Sequence, residues 1–229
     1  MKIKDQYKKA AIVVVGLAVL AIGFSAGRTL TPPADQMARM ETAAEAEYRS
    51  GDEADAFALF TQLAERGSIP AATYLGEMYQ TGTGTAKDGT AAIKWLTTAA
   101  DAGNPTAARQ LGLLYLDGTV AVQDFGLARK WLDAAARAGD DIAMRNLGDM
   151  DTQGLGAEAD PVSAYAYYDA AASLGNRYGE LQRDRIAGTL TADQQREGEK
   201  KADALIAALS PKPKPAAPSD KATAPKAAS

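Results

Sequence analysis

The stretch AATYLGEMYQTGTG, residues 71–84, is followed after a short link by AAIKWLTTAADAGN, residues 91–104. Sliding the sequence by 36 residues places both segments, without a gap, on a second copy and then on a third. The second copy reads AARQLGLLYLDGTV at 107–120 and LARKWLDAAARAGD at 127–140, and the third reads AMRNLGDMDTQGLG at 143–156 and SAYAYYDAAASLGN at 163–176. A fixed period of this length is typical of solenoids, in which each repeat contacts only its neighbours.

The spacing within each copy predicts two helices packed against each other. In the first helix, four residues at i, i+3, i+4 and i+7 share one face: Ala72, Leu75, Gly76 and Tyr79. Glycine costs about 1 kcal/mol relative to alanine inside a helix, so its recurrence beside the leucine predicts the close approach of a neighbouring helix. The second helix is predicted to bury a small set of residues on its inner face: Ala92, Trp95, Leu96 and Ala99.

Residues typical of helix ends recur at the same offset. The first helices are followed by glycines, which can adopt the left-handed conformation beyond a helix: Gly82, Gly118 and Gly154. The second helices are preceded by aspartates, whose carboxylates can accept hydrogen bonds from free backbone amides: Asp88, Asp124 and Asp160. The ends of each helix are therefore indicated by the sequence itself.

The combined pattern, A-x-x-x-L-G-x-x-Y-x-x-G-x-G, then an aspartate, then A-x-x-W-x-x-x-A-A-x-x-G, resembles the Sel-one-like repeat (SLR) family, a relative of the tetratricopeptide repeat. The resemblance implies an all-α fold, an α/α superhelical solenoid of about 3.5 to 4 helix-pair repeats with a C-terminal capping helix, used as a binding scaffold. The third copy departs from the pattern at Met144, Asp151 and Tyr167, and we expect looser packing or an altered surface there.

The repeat offset also predicts how the rest of the chain is organised. Residues 34–68 align as a degenerate opening repeat, and complete repeats cover residues 69–104, 105–140 and 141–176. Residues 177–209 are predicted to form C-terminal capping helices, the last of which begins at a capping box of Thr191 and Gln194. Residues 210–229 are rich in Pro, Ala and Lys, and we expect a disordered tail because they cannot bury enough apolar surface to offset the entropy of ordering.

Residues 1–28 have the pattern of a membrane-targeting segment. Four lysines precede a run of 17 residues without charge, from Ala10 to Ala26, and Arg28 follows it. This length lies between the apolar core of a cleaved signal peptide and that of a spanning helix. We favour a single-pass inner-membrane anchor with a cytoplasmic N-terminus and a periplasmic solenoid. The alternative is a signal cleaved after Gly23 or Ser25, which would release a soluble periplasmic or secreted protein.

The composition excludes several kinds of chemistry. The chain contains no cysteine and no histidine, which removes disulfides, thiolate chemistry, the usual general base and the commonest metal ligand. We therefore expect no metal site and no cofactor. Residues 29–209 carry 16 basic against 27 acidic residues, and this acidic balance argues against nucleic acid as a partner.

The resemblance also implies a binding surface. In the related tetratricopeptide solenoids the first helix of each pair lines the concave face, and the residues two before and two after the leucine of the Leu-Gly pair point into the groove. Carried over to this chain, these residues are Thr73, Glu77, Arg109, Leu113, Arg145 and Asp149. The set suits a partner protein or peptide, and Arg109 and Arg145 could bind its carboxylates in bidentate fashion. Tyr165 and Tyr178 are expected to form a secondary surface.

Two classes of function agree with these observations. The first is a non-catalytic scaffold of the bacterial cell envelope that binds a partner protein or peptide in the solenoid groove. The alternative is a carboxylate-based enzyme or a carbohydrate binder acting on cell-wall polymer, through pairs such as Asp149 and Asp151. The absence of histidine, together with the lack of a carboxylate pair that recurs, favours the scaffold and argues against an enzyme.

If residues 1–28 are an anchor, the full-length protein is expected in the membrane fraction of cells, because an apolar helix of this length resists extraction. Fractionation followed by immunoblotting measures this. Recovery in the soluble periplasmic fraction, with an N-terminus that begins after Gly23 or Ser25, would establish the cleaved signal instead.

Overall fold

The computed structural model describes residues 34–209, and over this range the chain consists of helices and contains no strand. The ten helices are α1 (Ala34–Ser50), α2 (Glu53–Glu65), α3 (Ile69–Thr81), α4 (Gly89–Asp101), α5 (Pro105–Asp117), α6 (Phe125–Arg137), α7 (Asp141–Gln153), α8 (Pro161–Ser173), α9 (Arg177–Ala187) and α10 (Ala192–Leu209). The fold class expected from the sequence, an all-α solenoid of helix pairs, is confirmed.

The expectations for the two ends of the chain lie outside the described residues. They concern the anchor or signal at 1–28 and the disordered tail at 210–229. None of the helices within residues 34–209 combines the length and apolar character needed to cross a bilayer.

The helices are grouped in two compact units. The first unit ends at Ala102 and holds α1 to α4, and the second begins at Gly103 and holds α5 to α10. In the first unit each helix packs on the next along the chain. In the second unit the same holds from α5 to α9, and α10 packs on α8.

The recurring Leu-Gly pair sets how closely the two helices of a repeat approach each other. The leucines of the three pairs are fully buried: Leu75, Leu111 and Leu147. A Cβ atom on Gly112 would lie 2.8 Å from the Leu132 side chain and 3.1 Å from the backbone oxygen of Ala128. A Cβ on Gly148 would lie 2.7 Å from the Tyr168 ring. Glycine is therefore required by the close approach of the second helix, as the sequence predicts.

Aspartate caps begin the second helices. The carboxylates of Asp88, Asp124 and Asp160 accept hydrogen bonds from backbone amides at 2.9 to 3.0 Å. At Asp160 the Ser163 hydroxyl also donates to the carboxylate, at 2.6 Å, and this bond is the main reason why the pKa of Asp160 lies below its usual value. The first helices end at the predicted glycines, which have positive φ: Gly82, Gly118 and Gly154.

The departures at Met144 and Asp151 do not open the third repeat, so looser packing, one of the two expected alternatives, is wrong at these residues. Met144 is fully buried, and Asp151, where the earlier copies have tyrosine, is only 5% exposed. Its carboxylate accepts a hydrogen bond from the Arg129 guanidinium at 2.6 Å. Burial raises the pKa of Asp151, and the Arg129 interaction offsets part of this rise. An ion pair has replaced an aromatic contact, and the site remains buried.

The repeat pattern ends at α9. Arg183 and Asp184 stand where the earlier first helices have Leu-Gly, and the Arg183 guanidinium is bonded to Asp169 at 3.3 Å and to Asp184 at 2.7 Å. The capping box predicted at the start of α10 is present. The Thr191 amide donates to the Gln194 side chain at 2.9 Å, and the Gln194 amide donates to the Thr191 hydroxyl at 3.3 Å.

The close approach at Gly112 can be tested with a pair of alanine substitutions. Gly112→Ala should lower the free energy of unfolding by about 1–3 kcal/mol, because the new methyl group meets a buried side chain and a backbone oxygen. Gly126→Ala is the control, since Gly126 lies in the exposed first turn of α6, where a Cβ would meet only the Asp124 carboxylate, at 3.2 Å, and it should leave stability within about 1 kcal/mol of the original. Urea unfolding followed by circular dichroism measures both, and equal stability of the two variants would contradict the role assigned to Gly112.

Candidate partner-binding site

The six residues expected on the concave strip lie on first helices in both units and are all half-buried. Thr73 and Glu77 lie on α3 of the first unit, and the Thr73 hydroxyl donates to the Ile69 carbonyl oxygen of its own helix at 3.1 Å. The remaining four lie in the second unit, on α5 and α7: Arg109, Leu113, Arg145 and Asp149. The second unit therefore holds most of the predicted site.

Arg109 binds a carboxylate of its own chain. Its Nε donates to Oδ2 of Asp140 at 2.9 Å, and both side chains are mostly buried. Asp140 is also the N-cap of α7, since its Oδ1 accepts a hydrogen bond from the Ala143 amide at 2.8 Å. This ion pair joins α5 to the first turn of α7, so the Nε of Arg109 has a structural role and is not presented to a partner.

Arg145 occupies the equivalent position one repeat later, but it has no carboxylate equivalent to Asp140. The residue 36 positions after Asp140 is Asn176, an amide, whose Nδ2 donates to Asp141 at 2.8 Å and whose Oδ1 accepts from the Gly179 amide at 2.9 Å. The Nε of Arg145 is buried and has no hydrogen-bond partner among residues 34–209. The carboxylate that pairs with the earlier arginine is therefore missing here.

Tyr178, on α9, lies beneath the Arg145 guanidinium. The guanidinium carbon is 5.0 Å from the centroid of the ring, within the range of a cation–π interaction. The hydroxyl of Tyr178 donates to Oδ1 of Asp149 at 3.1 Å, and the hydroxyl of Tyr168 donates to the same oxygen at 2.7 Å. Burial and the Asp149 carboxylate raise the pKa of Tyr178, which keeps the phenol protonated as a donor.

An exposed apolar surface adjoins this cluster. Tyr178 is 41% exposed and Leu181, one helical turn further along α9, is 60% exposed. We call Arg145, Asp149, Tyr178 and Leu181 the Arg145 site. It combines a guanidinium with an unpaired donor, an aromatic ring and an accessible aliphatic side chain.

Sequence reasoning missed Leu181 in this site and Tyr168, whose hydroxyl binds Asp149 of the site. Leu181 lies 36 residues after Arg145, so extending the strip by one more helix would have found it. Tyr168 aligns with core leucines of the earlier copies, and nothing in that alignment indicates that its hydroxyl reaches Asp149.

Tyr165 was expected at the surface, and the structure shows that this is wrong. The side chain is only 7% exposed because α10 packs over it. A Cβ on Gly198 of α10 would lie 2.5 Å from the Tyr165 ring, so the two helices meet at this glycine. Tyr178 is at the surface, as expected.

The described residues offer little support for acid–base chemistry. A cavity of about 290 Å³ beside Tyr168 is lined by hydroxyl, amide, guanidinium and apolar groups, and none of its lining residues is a carboxylate. Asp149 and Asp151 do not share a site, because Asp149 is bonded to two tyrosines and Asp151 is paired with Arg129. Within residues 34–209 no group of three potential ligands could hold a metal ion.

Comparison with known proteins supports a repeat family. The family model described as the Sel1 repeat matches residues 69–104, 105–140 and 141–176, the same bounds as the three copies in the sequence. No match was found among curated proteins.

Two solved structures are similar to this chain. A Sel1 repeat protein from Oxalobacter formigenes is 28% identical, with a TM-score of 0.63, and the alignment covers 77% of each chain. A protective antigen of uropathogenic Escherichia coli with an SLR fold is 24% identical, with a TM-score of 0.66, over 84% of this chain and 44% of that one. The chain thus spans less than half the length of the second protein, and at this identity the likeness concerns the fold.

Proteins with Sel1 repeats are generally non-catalytic scaffolds for interactions between proteins. The family model matches the same residues that form the recurring helix pairs and their Leu-Gly contacts. Residues 69–176 of this chain therefore match three Sel1 repeats.

Proposed function

We propose that this protein is a non-catalytic scaffold of the bacterial cell envelope that binds a partner protein or peptide at the Arg145 site. The observation that carries the proposal is the Arg145 guanidinium, which forms neither an ion pair nor a hydrogen bond within residues 34–209. Nε is closed to solvent, so a carboxylate supplied by a partner would bind the terminal nitrogens of the guanidinium, and hydrogen bonds to a charged group contribute about 1.5–3 kcal/mol.

The surroundings of Arg145 match the same kind of partner. The ring of Tyr178 holds the guanidinium in place, which lowers the entropy lost when a carboxylate binds. Leu181 and the exposed part of Tyr178 offer apolar surface to a side chain next to that carboxylate. Tyrosine and arginine are also the residues that most often dominate the free energy of binding at interfaces.

The envelope location rests on residues 1–28. Their lysines, uncharged run and following arginine suit a single-pass inner-membrane helix with the N-terminus in the cytoplasm, which would leave the repeats in the periplasm. A cleaved signal would give a soluble periplasmic or secreted scaffold with the same binding site. In both cases the binding residues belong to the described part of the chain.

Photo-crosslinking in cells tests the binding site. A photoreactive phenylalanine in place of Leu181 in the full-length protein should give a discrete adduct with a partner, and Arg145→Gln should lower the adduct yield by about tenfold because the charge-assisted hydrogen bonds are lost. Arg137→Gln is the matched control. It removes the same charge from an exposed position in the last turn of α6, and the yield should stay within about twofold of the original.

A second control separates binding from stability. Arg109→Gln breaks the ion pair with Asp140 and should lower the melting temperature, whereas Arg145→Gln should leave it nearly unchanged. An adduct whose yield does not respond to Arg145→Gln would show that the partner binds elsewhere.

A further inference from the structure

The first unit carries a surface of a different character from the Arg145 site. On α1 and α3, the rings of Tyr48 and Tyr74 meet edge to face with centroids 5.6 Å apart. Phe60 of α2 stacks on Tyr74 with centroids 4.4 Å apart and an interplanar angle of 13°. Phe60 is fully buried and the two tyrosines are half-buried, so the Phe60 ring packs the tyrosine rings against the core.

Glu45 lies one helical turn before Tyr48 on α1, and Glu77 lies one helical turn after Tyr74 on α3. Burial raises the pKa of Tyr48, and the next largest cause is the negative charge of Glu77. Burial also raises the pKa of Tyr74, followed by the charge of Glu45. We call these four residues, Glu45, Tyr48, Tyr74 and Glu77, the acidic aromatic face.

The carboxylate of Glu77 has no partner of its own. It forms no ion pair or hydrogen bond within residues 34–209, although the residue is half-buried. The Tyr48 and Tyr74 hydroxyls likewise form no hydrogen bond among these residues. Glu41, by contrast, accepts a hydrogen bond from the Ser68 hydroxyl at 2.6 Å and so helps to begin α3. The Glu77 carboxylate and the two tyrosine hydroxyls of the acidic aromatic face therefore form no hydrogen bond within residues 34–209 that stabilises the fold.

The chain already places one cation at the edge of this face. The Arg49 guanidinium is 2.6 Å from the Glu45 carboxylate, and its positive charge lowers the pKa of Tyr74 and so opposes the larger effects of burial and Glu45. Arg49 is largely exposed, so this contact is an ordinary surface pair that is readily exchanged. Residues 34–102 hold eleven acidic and five basic residues, so the surrounding field also favours a cation.

We infer that the acidic aromatic face binds a lysine- or arginine-bearing segment of a partner protein. The ring faces attract the cation through their negative quadrupole, and the carboxylates of Glu77 and Glu45 pair with it. The inference is independent of the Arg145 site, which lies in the second unit and binds the opposite charge.

A defined peptide tests this inference directly. A fluorescein-labelled lysine peptide, GKAKGKAG, is titrated with the full-length protein and binding is followed by fluorescence anisotropy, with GEAEGEAG as the acidic counterpart. The lysine peptide should bind and the acidic peptide should bind at least about tenfold more weakly to the acidic aromatic face. The double variant Glu45→Gln, Glu77→Gln should weaken lysine-peptide binding by about fivefold or more.

Matched variants separate this face from general attraction to an acidic protein. The double variant Glu65→Gln, Asp101→Asn removes the same charge from exposed positions near the ends of α2 and α4, and it should change affinity by less than about twofold. Arg49→Ala should raise affinity, because it removes the chain's own competing cation. Tyr48→Phe keeps the ring and should bind as the original does, whereas Tyr48→Leu should bind more weakly.

Two results would overturn the inference. One is an equal loss of lysine-peptide binding in both double variants, which would indicate net charge alone. The other is no binding of the lysine peptide to a protein whose circular dichroism spectrum is native. Neither result bears on the Arg145 site, because Arg145→Gln is expected to leave lysine-peptide binding unchanged.

Discussion

The close contact between each Leu-Gly pair and the following helix is the constraint on which the rest of the structure depends. With glycine at positions 76, 112 and 148, a side chain of the second helix lies almost against the backbone of the first: Leu96, Leu132 and Tyr168. This spacing aligns the helices of a pair so that short alanine-rich stripes suffice as a core. The inner faces of α4, α6 and α8 consist largely of alanine, and many of these alanines have no exposed surface. Larger residues on these inner faces would hold the two helices of a pair further apart.

Local patterns of residues allowed most of the fold to be predicted. The glycine stops, aspartate caps and capping box act within a few residues of the chain, so their structural consequences follow from spacing alone. The places where prediction failed depend on contacts distant in sequence. Asp151 was one of three departures expected to loosen the third repeat or alter its surface, but Arg129, on the preceding helix, pairs with it. Tyr165 was expected at the surface, but α10 folds back over it.

The candidate site likewise combines a feature that follows from the repeat spacing with one that depends on a contact distant in sequence. The repeat offset correctly places Arg109 and Arg145 at equivalent positions of α5 and α7, yet their surroundings differ because one later residue changes from Asp140 to Asn176. A carboxylate in the first case satisfies the guanidinium inside the fold, and an amide in the second leaves its buried donor unpaired. The alignment contains this difference, but its meaning emerges only when the structure shows that positions 109 and 140 touch. Sequence periodicity therefore shows which positions are equivalent, but it does not show which of them are in contact.

The replacement of Leu-Gly by Arg183 and Asp184 in α9 has a consequence for growth of the array. In an internal repeat, the Leu-Gly pair of the first helix forms an apolar surface that the second helix covers. At the end of the array, the same surface would be uncovered and another molecule could stack on it. Arg183 and Asp184 are bonded to each other, and Arg183 is also bonded to Asp169, so charged groups replace this apolar surface. A head-to-tail contact between repeats leads to open filaments when its rotation does not close a ring. Charge at this terminus thus disfavours the stacking of a further helix pair from another molecule.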